Sequence, residues 1–315
     1  MSQLRLALAG DTMLGRNVAS AIRRGAADSL VDAQVVDFVR EADLFVLNLE
    51  CCIAERGERW PDPAKPFFFR APAAATEVLV RLGVDCVTLA NNHALDYGLE
   101  GLLETLERLE SAGIESVGAG ADRGEARAPA VLERNGFRLA VLGCSDHPPE
   151  YASAADSPGI AYGLEWLPAA IARVEADAVL VSPHWGPNMV AAPLQRIRDA
   201  AATLHAAGAT LVAGHSAHVF HGVGEWILYD IGDFLDDYAV DPRLRNDLGL
   251  LFLVDLDCQG PVRLEGVPLK LEFCHTRLAD GDDARWIGRR FRGACRALGT
   301  EPVEERGRLV VSWRS

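Results

Sequence analysis

No stretch of this chain approaches the roughly 18 consecutive apolar residues of a membrane-spanning helix, so no membrane span is expected. Basic charge is also in short supply: 31 Lys and Arg stand against 45 Asp and Glu, a formal net charge of −14. Such a chain has no general basic field with which to release counterions. That argues against nucleic acid and anionic membrane as partners. An anion can still be held locally, through a metal or a single arginine. The cysteines follow no pairing pattern. There are seven, an odd number, with no Cys-x-x-Cys pair. Cys86 and Cys144 lie inside apolar runs, so reduced, mostly buried thiols and a cytoplasmic setting are expected. The opening residues carry one basic group, Arg5, and a short apolar run interrupted by Asp11, unlike a signal peptide. Internal repeats, low-complexity tracts and long charged runs are missing. Gly118-Ala119-Gly120 followed by Gly124 lacks the spacing of a dinucleotide fingerprint and the Lys-Ser/Thr of a P-loop. Gly214-His215-Ser216 is not a Gly-x-Ser-x-Gly elbow, which argues against a serine hydrolase.

What is present is an ordinary globular composition: 315 residues, 49% apolar and 24% charged. Disorder is not expected, and the length supports a substantial core. Nothing marks a domain boundary, so the chain reads as a single domain over residues 1–315. Short apolar runs at 4–9, 44–49, 86–90, 139–143, 178–182 and 210–213 read as buried strands. Amphipathic helices lie between them. One carries Leu102, Leu103, Leu106 and Leu109 on one face and stops at Gly113; another spans 194–207 and ends at Gly208. After about residue 225 the pattern turns antiparallel, with strands at 226–231, 250–256 and 262–273, a helix at 285–298 and a last strand at 308–313. Residues 56–65, rich in Pro and charge, read as a surface excursion, and Phe67 to Phe69 as core. The fold class is α/β.

The polar residues of interest stand where predicted strands end, the place where α/β folds bind ligands. Successive strands end in Gly10-Asp11-Thr12, Asn48-Leu49-Glu50, Asn91-Asn92-His93, His184-Trp185-Gly186 and Gly214-His215-Ser216-Ala217-His218. Single capping or structural roles explain any one of these, but not five together. Carboxylate, amide and imidazole groups in one place are hard and borderline ligands, and they predict a site for a divalent metal such as Zn, Mn or Fe. Arg16 and Arg70 are candidates to clamp a carboxylate or phosphate, and Trp185 to line the pocket.

These motifs, with Leu89-Ala90-Asn91-Asn92-His93-Ala94-Leu95-Asp96-Tyr97-Gly98 and Leu228-Tyr229-Asp230-Ile231-Gly232-Asp233-Phe234, resemble the CapA family of capsule and poly-γ-glutamate synthesis, which is related to the calcineurin-like metallophosphatases. The resemblance runs from about residue 4 to 270. It implies a four-layer α/β/β/α sandwich, two mixed sheets flanked by helices, and one or two divalent ions (Mn, Zn, Fe or Ca). Carried over position by position, it implies Asp11, Glu50, Asn92, His184, His215 and His218 as metal ligands. His93 becomes the acid near a leaving group. The pattern departs at Met13 and Ser216, where histidines are usual. CapA-like proteins include a lasso-peptide epimerase, and the chain resembles that branch. The leading expectation is therefore a metal-dependent isomerase that inverts a Cα of a precursor peptide. A bound ion acidifies the Cα–H, and Asp11 with His93 or His275 carries the proton. The alternatives are a mono- or binuclear metallophosphoesterase acting on a small phosphoester, and a non-catalytic polymer- or peptide-binding protein. The oligomeric state is left open.

Overall fold

The computed structural model describes residues 3–314. Among these residues the larger sheet has ten strands. Its spatial order is Val303–Glu305, Arg308–Ser312, Gly260–Glu272, Leu248–Asp257, Gln3–Thr12, Leu44–Leu49, Cys86–Thr88 and Glu115–Val117, with Asp233–Leu235 paired to Gln3–Thr12 and His275–Leu278 to Gly260–Glu272. From Gln3–Thr12 to Glu115–Val117 the pairing is parallel; on the other side it is antiparallel. The smaller sheet has five strands, in the order Ile227–Leu228, Leu211–Ala213, Ala178–His184, Phe137–Ser145 and Ala130–Arg134, and only its last pairing is antiparallel.

Side-chain alternation along the first strand builds the layers. Leu4, Leu6 and Leu8 face the smaller sheet and meet Leu139, Val141, Leu180 and Leu211. Ala7 and Ala9 face the opposite way, in a cluster with Val18, Ile22, Val35, Leu79 and Leu102. Those residues come from the helices Arg16–Arg23, Ala33–Val39, Ala75–Leu82 and Gly98–Ser111. On the far face of the smaller sheet, Val179, Val181 and Val212 pack on Leu167, Ile171, Ile197 and Leu204 of Leu167–Ile171 and Gln195–Ala206. The order is helices, sheet, sheet, helices: two mixed sheets face to face, as the family resemblance implies. Gly281–Arg296 departs from it. Its Ile287, Phe291 and Cys295 join the cluster between the sheets. Truncating a fully buried leucine there, such as Leu180, costs about 2–5 kcal/mol.

The expected strands are present with shifted ends. The first extends to Thr12 and so includes Asp11. The expected strand at 226–231 is only Ile227–Leu228, because Asp230 to Gly232 bend the chain before Asp233–Leu235 begins. Residues 56–65 lack helix and strand, as expected. Cys86 and Cys144 are buried; Cys258 is exposed. The run Phe67 to Phe69 divides, with Phe69 buried and Phe67 exposed. No helix among the described residues is long and apolar enough to cross a membrane.

Candidate metal centre

Two Gly-Asp pairs begin the site. Gly10 and Gly232 cross so closely that a Cβ on Gly10 would lie 1.8 Å from the Gly232 carbonyl oxygen. Gly232 itself sits at φ +75°, where side chains are disfavoured. The Asp11 amide donates to the Gly232 carbonyl at 2.9 Å, and Asp11 and Asp233 fall in register. The loop after Leu211–Ala213 supplies the histidines. Ser216 and His218 adopt left-handed backbone, at φ +110° and +58°. Strain of this kind persists only where the surroundings hold it. Here Asp230 holds it, accepting from the Ala217 amide at 2.8 Å and the Gly232 amide at 2.9 Å.

The result is a knot of buried carboxylates and imidazoles. Asp11 Oδ1 lies 3.2 Å from His215 Nδ1, and Asp11 Oδ2 lies 3.2 Å from His218 Nδ1. His218 Nδ1 is also 2.9 Å from Asp233 Oδ1 and 4.0 Å from Glu50 Oε2. One ligand atom from each of Asp11, His218 and Asp233 fits within a 4.8 Å group. The two contacts to Asp11 are short but not aligned as hydrogen bonds. Buried and without a hydrogen-bond partner are Asp11 Oδ2, both Glu50 oxygens, Asn92 Oδ1, both His184 nitrogens, His215 Nδ1 and Asp233 Oδ2. A buried carboxylate left so costs several kcal/mol. Atoms that crowd together without pairing leave room for a third body, and a divalent cation held by Asp11, His218 and Asp233 would relieve the oxygens nearest it. Mixed oxygen and imidazole donors suit Zn, Mn or Fe.

Electrostatics point the same way. Burial drives Asp11 up, yet the contacts with His215 and His218 win and hold it well below the usual carboxylate range. Glu50 is pushed well above that range by burial and then by the charge of Asp11. Burial also raises Asp233 well above it, against the pull of His218. For His218, burial opposes the charge, but Asp233 and Glu50 outweigh it and the imidazole is held well above its usual range. His184 is pushed well below by burial and then by His147, which keeps it neutral, the form that binds metal.

Beside this knot stands His93. Its Nδ1 pairs with Asp96 Oδ2 at 2.6 Å, which leaves Nε2 as the free nitrogen. Asp96 also accepts the Phe69 amide at 2.6 Å and faces Lys65 Nζ at 3.0 Å. The His93 ring stacks on Phe69 at 4.0 Å. A relay of amides ties the two parts together. The His93 amide donates to Asn91 Oδ1, Asn91 Nδ2 to Asn48 Oδ1, and Asn48 Nδ2 to Asp11 Oδ1, at 3.0, 3.0 and 2.7 Å.

The structure therefore brings Asp11, Glu50, His215 and His218 together. His184 is joined to His215 by a backbone bridge, and Asn92 stands beside His93. Other candidates lie elsewhere. His275 Nδ1 is 2.6 Å from the Ser29 carbonyl and its Nε2 is 3.4 Å from Asp32, away from Asp11, because Thr276 zips its strand to residues 30–32. Trp185 is core: its indole lies among Leu167, Ile197 and Leu204 and donates to the Tyr229 carbonyl at 2.9 Å. Arg70 stacks on Tyr97 at 4.0 Å and bonds the Gly57 carbonyl, so it anchors the 56–65 loop. Arg16 is closer, over the rings of Phe67 and Phe69, but its Nε is 3.3 Å from Asp237. Met13 is buried and its sulfur accepts the Gly15 amide; Ser216 Oγ donates to the Gly186 carbonyl. Neither supplies a ligand. Sequence reasoning passed over Asp233, Asp96 and His147, whose ring lies 5.2 Å from His184. Two signals were available. Gly232-Asp233 repeats Gly10-Asp11, and Asp96 follows His93 by three residues.

Comparison with known proteins gives the family. Residues 5–238 match the family described as bacterial capsule synthesis protein PGA_cap. A probable polyglutamine synthesis accessory protein of Mycobacterium tuberculosis is 32% identical over 297 residues, covering 85% of this chain and 76% of that protein. The PGA biosynthesis protein CapA of Bacillus subtilis is 28% identical over 283 residues, covering 85% of this chain and 72% of that protein. Among solved structures, the NAD nucleotidase of Haemophilus influenzae aligns with a TM-score of 0.47 at 13% identity, over 90% of this chain and 61% of that one.

Proposed function

The chain belongs to the PGA_cap family of bacterial capsule synthesis proteins, and from that premise we propose that it is a divalent-metal-dependent phosphoester hydrolase serving cell-surface polymer synthesis. One observation carries the reading: the partnerless oxygens of Glu50, among Asp11, His218 and Asp233, share the site with His93, whose ring Asp96 fixes at Nδ1 so that Nε2 is the nitrogen left to carry a proton. Asp11, Glu50, His218 and Asp233, with His215 and His184, would hold the metal. When bound, a divalent ion supplies Lewis acidity and an acidified water. His93 donates from Nε2 to the leaving oxygen, and Asp96 at Nδ1 holds the ring and steadies the imidazolium. Lys65 keeps Asp96 in place, and Phe69 covers the flat face of His93 against water.

Peptide epimerisation is the second reading. One observation favours it: Met13 and Ser216 turn away from the centre, so the donor set suits one ion better than two. Against it, Asp11 is an anion steadied by two imidazoles and hence a weak base. His275 is held elsewhere, which leaves His93 as the other proton carrier.

The test uses protein loaded with Mn or Zn. An aryl phosphate should be turned over, and His93→Ala should lose most on poor leaving groups and least on activated ones. If no phosphoester is turned over while a peptide gains one deuterium at a single Cα in D₂O, the epimerase reading replaces this one.

A further inference from the structure

Tyr238 lies just past the last candidate ligand strand, Asp233–Leu235. Its backbone amide donates to Asp236 Oδ1 at 2.7 Å, which turns the side chain back toward the site. The ring stands edge-on to the His218 imidazole, with centroids 5.2 Å apart, and 5.8 Å from the Phe69 ring, which in turn stacks on His93. The phenol thus sits between the metal cluster and the proton donor. Its hydroxyl is buried and has no hydrogen-bond partner among the described residues. Burial, and then the charges of Glu50, Asp233, Asp236 and Asp11, raise the phenol well above its usual range. A buried tyrosine ordinarily finds a partner for its O–H, and leaving that bond unmade is costly. A buried O–H with no acceptor among the described residues, on a ring seated between His218 and Phe69, leaves a hydrogen bond open to an acceptor that arrives with the ligand.

We propose that Tyr238 is a substrate-contacting residue whose hydroxyl donates a hydrogen bond to an oxyanion, a phosphoryl or developing alkoxide oxygen, held between the His218 and His93 sides of the site. The assignment rests on the metal-centre reading above. It adds a neutral donor beside the His218 ring. Such a donor bonds a phosphoryl oxygen already in the bound state and is worth most as further charge builds on it.

Tyr238→Phe tests this, because the ring keeps its packing on His218 and Phe69 and only the hydroxyl is lost. Wild type and variant are loaded with Mn or Zn and titrated with inorganic phosphate by calorimetry. The variant should keep its metal content and thermal midpoint while its phosphate affinity falls about tenfold or more. On an aryl phosphate its kcat should fall about 100-fold with KM little changed. Unchanged phosphate affinity overturns the assignment. So does loss of metal from the variant, which would make Tyr238 a ligand or a support for one, and so does a loaded wild type that binds no phosphate. The titration needs no turnover. Weaker phosphate binding by the variant, with no phosphoester hydrolysed by the wild type, removes the hydrolase reading and keeps the tyrosine.

Discussion

The two ends of the strand Gln3–Thr12 carry charge in opposite ways. At the start, Arg5 bonds Asp255 at 2.7 Å and Glu265 at 2.9 Å. Arg308 bonds Glu41 at 2.7 Å and also Glu265, and Arg263 ties Glu265 to Glu305 at 3.0 and 2.6 Å. Burial lifts Glu265, yet Arg263 and Arg308 prevail and hold it at about 2. That network closes on itself. At the other end, six residues on, Asp11 meets two histidines out of alignment, and Glu50 beside it has no hydrogen-bond partner for either oxygen. Burial and charge are common to both ends. What separates a brace from a ligand site is unspent hydrogen-bonding capacity.

That contrast can be broken experimentally, and the open end should break first. Glu50→Gln should lower metal affinity and activity by about 100-fold or more, while leaving the metal-free protein at least as stable, since a buried carboxyl crowded by Asp11 is replaced by a neutral amide. Calorimetry with Mn or Zn and a melting curve decide it; full metal content in the variant would remove Glu50 from the ligand set. Next, chelation of the loaded wild type should lower its melting temperature by several degrees, since metal held at 100 times its Kd stabilises by about 2.7 kcal/mol. Glu50→Gln should show little of this shift, and equal shifts in both would locate the metal elsewhere.

The closed end should respond only to acid. Glu265 is held at about 2, below the 4.5 of an unperturbed glutamate. Its contribution is therefore complete above pH 4.5 and disappears as the pH falls from there toward 2. Glu265→Gln should cost about 1 kcal/mol at pH 7, flatten the acid limb of the melting-temperature profile, and leave metal binding untouched. A steeper acid limb would contradict the sign. The smallest effect belongs to His275→Ala, with activity and metal affinity within about twofold of wild type. A larger loss in kcat would bring His275 back to the chemistry and favour the epimerase reading.

The fold was largely legible in the sequence, and the site only partly. Buried strands announce themselves by short apolar runs, and Leu44–Leu49 lies where its run predicts. The run at 226–231 misled because Ile231 is buried like a strand residue but lies inside the bend closed by Asp230 and Gly232. In the site, Asp11, Glu50, His215 and His218 were legible because each closes an apolar run. Asp233 opens its strand and was not. Trp185 follows a candidate ligand in the chain, yet the pleat of its strand aims it at the opposite layer.

By itself, the sequence determined the chemistry on offer and the strand ends that present it, because both are properties of residue type and local periodicity. It also determined the family, through motifs kept in order. Only the tertiary structure decided which groups meet. The parallel register of Asp11 with Asp233 and the pairing that carries His275 to Ser29 depend on segments more than 200 residues apart, and the positive φ of Ser216 and His218 on the later turn at Asp230. No local pattern encodes a direction in space, so the difference between a satisfied charge and an unspent one appears only when both sheets are in place.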